Sequence, residues 1–237
     1  PVLSAAEEKR LMEWIDGTKD PENIICQTAA AMRGYSAEKV KEWSEEQKKE
    51  LIRALLKGGR KRELEQAHFT FRFNRISLAG VTHLVRHRMQ SILVPDYSKV
   101  YDFTQYVLPP SIVDAELTDC YEAAFRESAQ VLGHLQKMGL YEKDCVYFML
   151  SGMTIPVVTT MNANELETFM RLRTCNRAQW EIKACADALL EILREKCPVL
   201  FNLYGPGCYM LGHCPEGKMT CGKMKEMCEK YSGKKRV

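Results

Sequence analysis

The sequence predicts an α/β (α+β) fold, a mixed sheet flanked by long helices and followed by a cysteine-rich carboxy-terminal tail. Three observations carry this expectation. Residues 68–77, HFTFRFNRIS, alternate Phe69, Phe71 and Phe73 with Thr70, Arg72 and Asn74, the period of two that buries one face of a strand. From about 163 to 197, Leu166, Phe169, Met170, Ala178, Ile182, Cys185, Leu189, Ile192 and Leu193 recur at three- and four-residue steps, the stripe of a long helix. A further long helix is expected over roughly Ser111 to Met138, and SGMTIPVVTTMN reads as a second, more apolar strand. A chain of 237 residues can bury one generous core, so the expected division is a main domain over 1–205 and a basic tail over 206–237.

Taken in order, the opening PVLSAAEEKRLMEW is amphipathic and acidic, and the helices read next make the opening of the chain helical. Asp20-Pro21-Glu22 has the form of an N-cap, a first-turn proline and an acidic first turn for a helix over about 21–33. AEKVKEWSEEQKKELIRALLKGG reads as one or two helices ending at Gly58-Gly59, with Lys41 to Glu50 as a solvated face. Ile76, Gly80, His83, Leu84 and His87 make another helical stripe that runs into Arg86-His87-Arg88. Pro156 in the second strand marks an edge or a bulge, because proline donates no ladder bond. Asn162 followed by Glu165 has the spacing of a capping box for the last long helix.

Composition excludes some classes of function. The net charge is only +3, from 34 basic and 31 acidic residues, so no global field favours nucleic acid; Lys234-Lys235-Arg236 is a local exception. No apolar run approaches the roughly 20 residues of a membrane span, and the start is unlike a signal peptide, so a cytoplasmic protein is expected. Of ten cysteines, Cys26, Cys120, Cys145, Cys175, Cys185 and Cys197 fall in apolar or helical segments, as reduced, mostly packed thiols would. Cys208, Cys214, Cys221 and Cys228 are spaced C-x5-C-x6-C-x6-C beside His213; a metal site competes there with free thiols, and the close C-x2-C pairs of zinc knuckles are missing.

Two places put cations on an apolar stripe. Arg173 follows Phe169 by four residues and Met170 by three, with Arg177 one turn further, and Arg86-His87-Arg88 closes the other stripe. Burying guanidiniums is costly without an anion, which is either a protein carboxylate or a ligand. The planar fork of arginine matches phosphate, carboxylate or the imide edge of a pyrimidine, so a nucleotide is the ligand these clusters suit. No G-x-G-x-x-G or Walker loop is present, so phosphates would be held by side chains and helix starts.

ELEQAHFTFRF, LVRHR and TMNANELETFMRLRTCNRAQWEIKACADALLEILREKCPVLF, in that order, resemble the flavin-dependent thymidylate synthases, the ThyX family. The similarity runs from about Asp20 to Gly222. It implies a homotetramer with sites shared between subunits, FAD as cofactor, NAD(P)H as reductant, methylenetetrahydrofolate as carbon donor and dUMP as acceptor, with no enzyme nucleophile. By the same resemblance Arg173 is the catalytic group and also meets the substrate. Arg86, His87 and Arg88 contact FAD and nucleotide as ligand-facing cations, while Glu65, Asn162, Asn164 and Arg177 fall at flavin-binding positions. His83 stands where a glutamine usually reaches dUMP, and Asp96 and Ser98 fall in the substrate loop.

The match has gaps. No Glu occurs from Met89 to Tyr101, and Asp96 stands where a cation would meet substrate. Val146 replaces a dUMP-binding arginine, and Asn164 replaces the arginine of Asn-Ala-Arg. Each charged hydrogen bond to an anion is worth roughly 1.5–3 kcal/mol, so these losses bear on substrate choice. Three readings follow: a thymidylate synthase with a rebuilt loop, a flavoenzyme for another pyrimidine nucleotide, or a paralogue that binds or assembles without catalysis.

Overall fold

The computed structural model describes residues 11–232, in two compact units. The first unit comprises residues 11–13, 72–86 and 92–158, and the second comprises 14–71, 87–91 and 159–232. In chain order the elements are β1 (Met12–Gly17), α1 (Pro21–Ala31), α2 (Ala37–Lys41), α3 (Glu45–Lys57), β2 (His68–Ser77), α4 (Leu78–Leu84), β3 (Ser91–Leu93), α5 (Tyr97–Val100), α6 (Pro110–Asp114) and α7 (Thr118–Lys137). They continue with β4 (Thr154–Asn162), α8 (Ala163–Arg173), α9 (Trp180–Lys196), α10 (Pro198–Phe201), α11 (Gly207–Leu211) and α12 (Met224–Tyr231). The four strands form one sheet in the order β1-β2-β4-β3, antiparallel rather than the mixed sheet expected.

The strands obey their alternation. Phe69, Phe71 and Phe73 of β2 are fully buried, and β4 alternates buried and half-buried positions. Thr70 and Thr160 share a hydroxyl hydrogen bond of 2.8 Å on the opposite face. Pro156 lies within β4, whose neighbour on one side is the three-residue β3; much of that side has the character of an edge, where a missing N–H is tolerated.

Three expectations are corrected. The chain does not open as a helix at 12–17, since Met12–Gly17 is a strand; Trp14 and Ile15 suit a pleated surface and sheet pairing overrides the amphipathic pattern. The run 111–138 is two helices because Glu116 adopts a left-handed φ of 58° between α6 and α7. The run 163–197 is also two helices, α8 and α9, separated by residues 174–179. Thr174 bonds its hydroxyl back to the Met170 carbonyl at 2.7 Å and Gln179 caps α9 through the Ile182 N–H at 2.9 Å, so each side of the break is satisfied locally.

Within the first unit, Tyr106, Tyr121 and Phe125 stack with centroids 4.6–6.0 Å apart. Gly152 is required there, because a Cβ would meet the Tyr121 hydroxyl at 1.9 Å. In the second unit the capping box of Ser44 and Gln47 starts α3 and explains why two helices follow residue 36 rather than one. Residues 206–232 are not a separate tail but part of this unit. Arg194 on α9 donates to the carbonyls of Tyr204 at 2.9 Å and Tyr231 at 2.8 Å, and Met227 and Tyr231 are buried. Cys26, Cys145, Cys185 and Cys197 are buried, as mostly packed thiols should be, while Cys120 is exposed and Cys208 of the tail is buried as well.

Candidate active site

Helix α8 is fixed at its start before it can aim anything at its end. The Asn162 carboxamide accepts the Glu165 N–H at 2.8 Å, the Ala163 N–H donates to the Ala67 carbonyl at 2.9 Å, and the buried Tyr204 hydroxyl donates to the Ala163 carbonyl at 2.9 Å. Asn164 donates to the Glu65 carboxylate at 3.2 Å. Four of the expected site residues or their partners therefore gather at this end: Glu65, Asn162, Asn164 and the newly prominent Glu165.

Along α8, Glu165, Phe169 and Arg173 succeed one another at four-residue steps and share a face. The His87 ring spans that face. Its Nδ1 lies 3.0 Å from Glu165 Oε1, its Nε2 lies 2.9 Å from Arg173 Nε, and its edge meets Phe169 with centroids 5.0 Å apart. An arginine N–H only donates, so Nε2 must accept; the ring proton therefore sits on Nδ1 and is donated to the carboxylate. His87 is a buried neutral link between Glu165 and Arg173 rather than the ligand-facing cation expected. The Thr159 hydroxyl donates to Gln90 Oε1 at 2.7 Å and holds the segment that carries His87.

Sequence reasoning missed the carboxylate role of Glu165, which it read only as a cap partner. The signal was available, since Glu165 is eight residues before Arg173 on the same buried face. Glu167, also buried, pairs with Lys61 at 3.1 Å. Arg88 and Arg177 are exposed residues of the same unit. Arg177 is not one turn along from Arg173, because the helix stops at Arg173.

The other expected residues belong to the first unit. His83 is half-buried on α4, and Arg86 is exposed just beyond it. Asp96 and Ser98 meet each other: the Asp96 carboxylate caps α5, accepting the Ser98 N–H at 3.0 Å and its hydroxyl at 2.8 Å. Those two bonds hold the exposed Asp96 carboxyl below its ordinary range, so it stays ionised. Lys99 pairs with Glu142 at 2.5 Å, tying this loop to the segment that carries the exposed Val146. Two departures from the family pattern therefore lie on joined segments.

A cavity of about 300 Å³ opens elsewhere in the second unit, between residues 171–177 and 206–227. Cys175, Cys208, Cys214 and Cys221 line it. Among the described residues no group of three or more His, Cys, Asp or Glu is placed to hold a metal ion. No helix among the described residues is long and apolar enough to cross a membrane.

The fold and the buried Glu165–His87–Arg173 chain define an α/β protein that presents an arginine fixed at a helix end. The chain belongs to the family described as thymidylate synthase complementing protein, which matches residues 13–199. It is 34% identical over 218 residues to a flavin-dependent thymidylate synthase of Geobacter sulfurreducens, covering 89% of this chain and 93% of that one. A flavin-dependent thymidylate synthase of Clostridium tetani is 32% identical over 245 residues, covering 94% of this chain and 96% of the relative. In fold the chain resembles the solved UMP/dUMP methylase PolB of Streptomyces cacaoi bound with 5-Br dUMP, with a TM-score of 0.67 and 19% identity over 80% of this chain and 92% of that one.

Proposed function

We propose that this protein is a flavin-dependent thymidylate synthase that methylates dUMP reductively to dTMP. FAD is its cofactor, methylenetetrahydrofolate the carbon donor and NAD(P)H the reductant, and the working form is a homotetramer. The observation that carries the reading is the Glu165–His87–Arg173 chain within a family whose curated relatives bear that name. With Nε bonded to a neutral His87, the guanidinium has a set direction. Held against the imide of a pyrimidine, it favours the ionised ring and raises electron density at C5, the carbon to be methylated. A cytoplasmic setting suits ten cysteines that are all free thiols.

The donor set fits a flavin. The carboxamides of Asn162 and Asn164, with Glu65 behind Asn164, offer donors and acceptors to a heterocycle at the start of α8, and the exposed Arg88 and Arg177 offer cations to its phosphates. When bound, FAD supplies the redox-active ring that takes part in methylation at C5. Arg86, His83 and Ser98 are assigned to the nucleotide, and His87 is assigned to orienting Arg173.

An absorbance titration with FAD, repeated with dUMP, tests this, followed by tritium release from C5-labelled dUMP. The expected result is a flavin spectrum that shifts when dUMP is added. Absence of flavin binding would sink the enzyme reading in favour of a paralogue that assembles only. A second reading, methylation of UMP, rests on the same loop: the ionised Asp96 is an acceptor, which the 2′-hydroxyl of UMP can meet and which dUMP, lacking that hydroxyl, cannot use. The solved methylase of similar fold is named for UMP as well as dUMP. With dUMP as the acceptor, Asp96→Asn is expected to lower the KM for dUMP about fivefold by removing like-charge repulsion worth about 1 kcal/mol. An unchanged KM for dUMP, with faster turnover of UMP by the unsubstituted protein, would transfer the assignment to UMP.

A further inference from the structure

The thiol-lined cavity lies against the turn that follows Arg173, and residues 206–227 form its other wall. Its four thiols come from two parts of the chain, Cys175 from the break between α8 and α9 and Cys208, Cys214 and Cys221 from the last quarter. Such a gathering serves no core, since Cys175, Cys214 and Cys221 remain partly exposed. Among the described residues no group of three or more His, Cys, Asp or Glu is placed here to hold a metal ion.

Two guanidiniums, Arg171 and Arg177, line the same cavity, and a single carboxylate there, Glu216, opposes them. The balance is one positive charge beside an otherwise largely apolar wall that includes Met224 and Met227. A volume of about 300 Å³ is at the lower end of small-molecule sites. We propose that this cavity is a thiol-exchange site for small disulfides that carry carboxylates, with Cys175 as the attacking sulfur. Cys175 is partly exposed and receives the Arg177 backbone N–H at 3.5 Å, whereas Cys208 is buried and its thiol is pushed up by that burial.

In the step, Cys175 gives its proton to water and its thiolate attacks one sulfur of the disulfide. A new protein–ligand S–S bond forms as the old one breaks, and the released thiolate leaves with the electron pair; no further oxidant is needed. Arg171 attracts a carboxylate of the ligand and the apolar wall accepts the remainder. The bonded group then occupies the turn between α8 and α9, next to the residue assigned to catalysis. This site is independent of which pyrimidine nucleotide is methylated.

The test compares two reagents on the full-length flavin-loaded protein, dianionic dithiobis(nitrobenzoate) and neutral hydroxyethyl disulfide, with each labelled cysteine assigned by peptide mass spectrometry. Cys120, exposed and in the other unit, is the internal reference. The expected result is labelling of Cys175 ahead of Cys120 by the anionic reagent and no such preference with the neutral one. Arg171→Gln, at a residue with no part in flavin binding, is expected to slow the anionic reaction roughly threefold or more, the size of one partly exposed ion pair, and Glu216→Gln to speed it. Equal labelling of Cys120 by the anionic reagent, or a Cys175 preference that ignores reagent charge, would overturn the proposal, and this comparison requires no substituted protein.

Discussion

Arg173 shows how one residue acquires a direction. A guanidinium on a flexible stem is an imprecise tool, and its Nε is held here by a ring that is itself held by Glu165 and braced by Phe169. Arg173→Ala is expected to lower dUMP-dependent tritium release by about a hundredfold or more, as loss of a placed donor does. The melting temperature should move by less than about 4 °C, because the side chain is only half-buried. Unfolding of the variant would make Arg173 a structural partner instead. Glu165→Gln tests the link itself. A carboxamide can offer its NH2 to Nδ1 and turn the imidazole to the tautomer whose Nε2–H opposes Arg173. The expected loss is about 1.5 kcal/mol, a roughly tenfold fall in kcat at unchanged FAD binding, read by steady-state kinetics and flavin titration.

At the scale of elements, the break between α8 and α9 decides what the site contains. Periodicity continues through residues 174–179, so the sequence reads one helix; the chain stops because Thr174 and Gln179 bond locally and the following turn faces the cavity. The same region is clasped from the carboxy-terminal side. The Tyr231 hydroxyl on α12 donates to Asp187 and lies 3.3 Å from the Thr174 carbonyl, and Arg194 on α9 donates to three carbonyls, those of Phe201, Tyr204 and Tyr231. Arg194→Leu strands those carbonyls in a largely buried place. A loss of about 2–4 kcal/mol is expected, or roughly 4–16 °C in melting temperature, measured by thermal unfolding. A change within error would mean that water replaces the guanidinium.

For the molecule as a whole, the buried titratable groups predict a one-sided pH profile. Burial pushes the Cys26 thiol up to about 11 and Cys197 up to about 12, and it raises the Tyr204 and Tyr231 phenols as well. Unfolded thiols ionise near about 8.5 and phenols near about 10. A group raised in the folded state contributes stability that is whole below its unfolded value and is lost as pH rises through the folded one. Urea midpoints should therefore hold steady up to about pH 8.5 and fall steadily towards about pH 11. A flat midpoint across that range would mean that these groups are hydrated in solution.

Local pattern alone determined much of this protein. The alternation of Phe69, Phe71 and Phe73, the cap at Asp20, the cap at Asn162 and the cations beside an apolar stripe are all readable within a few residues, because strand and helix periods and capping are short-range physics. Family resemblance carried the function. Only the tertiary structure decided that His87 is a neutral link, that Glu165 is the carboxylate behind Arg173, that Met12–Gly17 pairs as a strand and that the tail cysteines meet Cys175 around a cavity. Glu165 and His87 are 78 residues apart in the chain and Arg173 and His87 are 86 apart. No local preference reports such pairings; they are set by which buried polar groups find partners when the core closes.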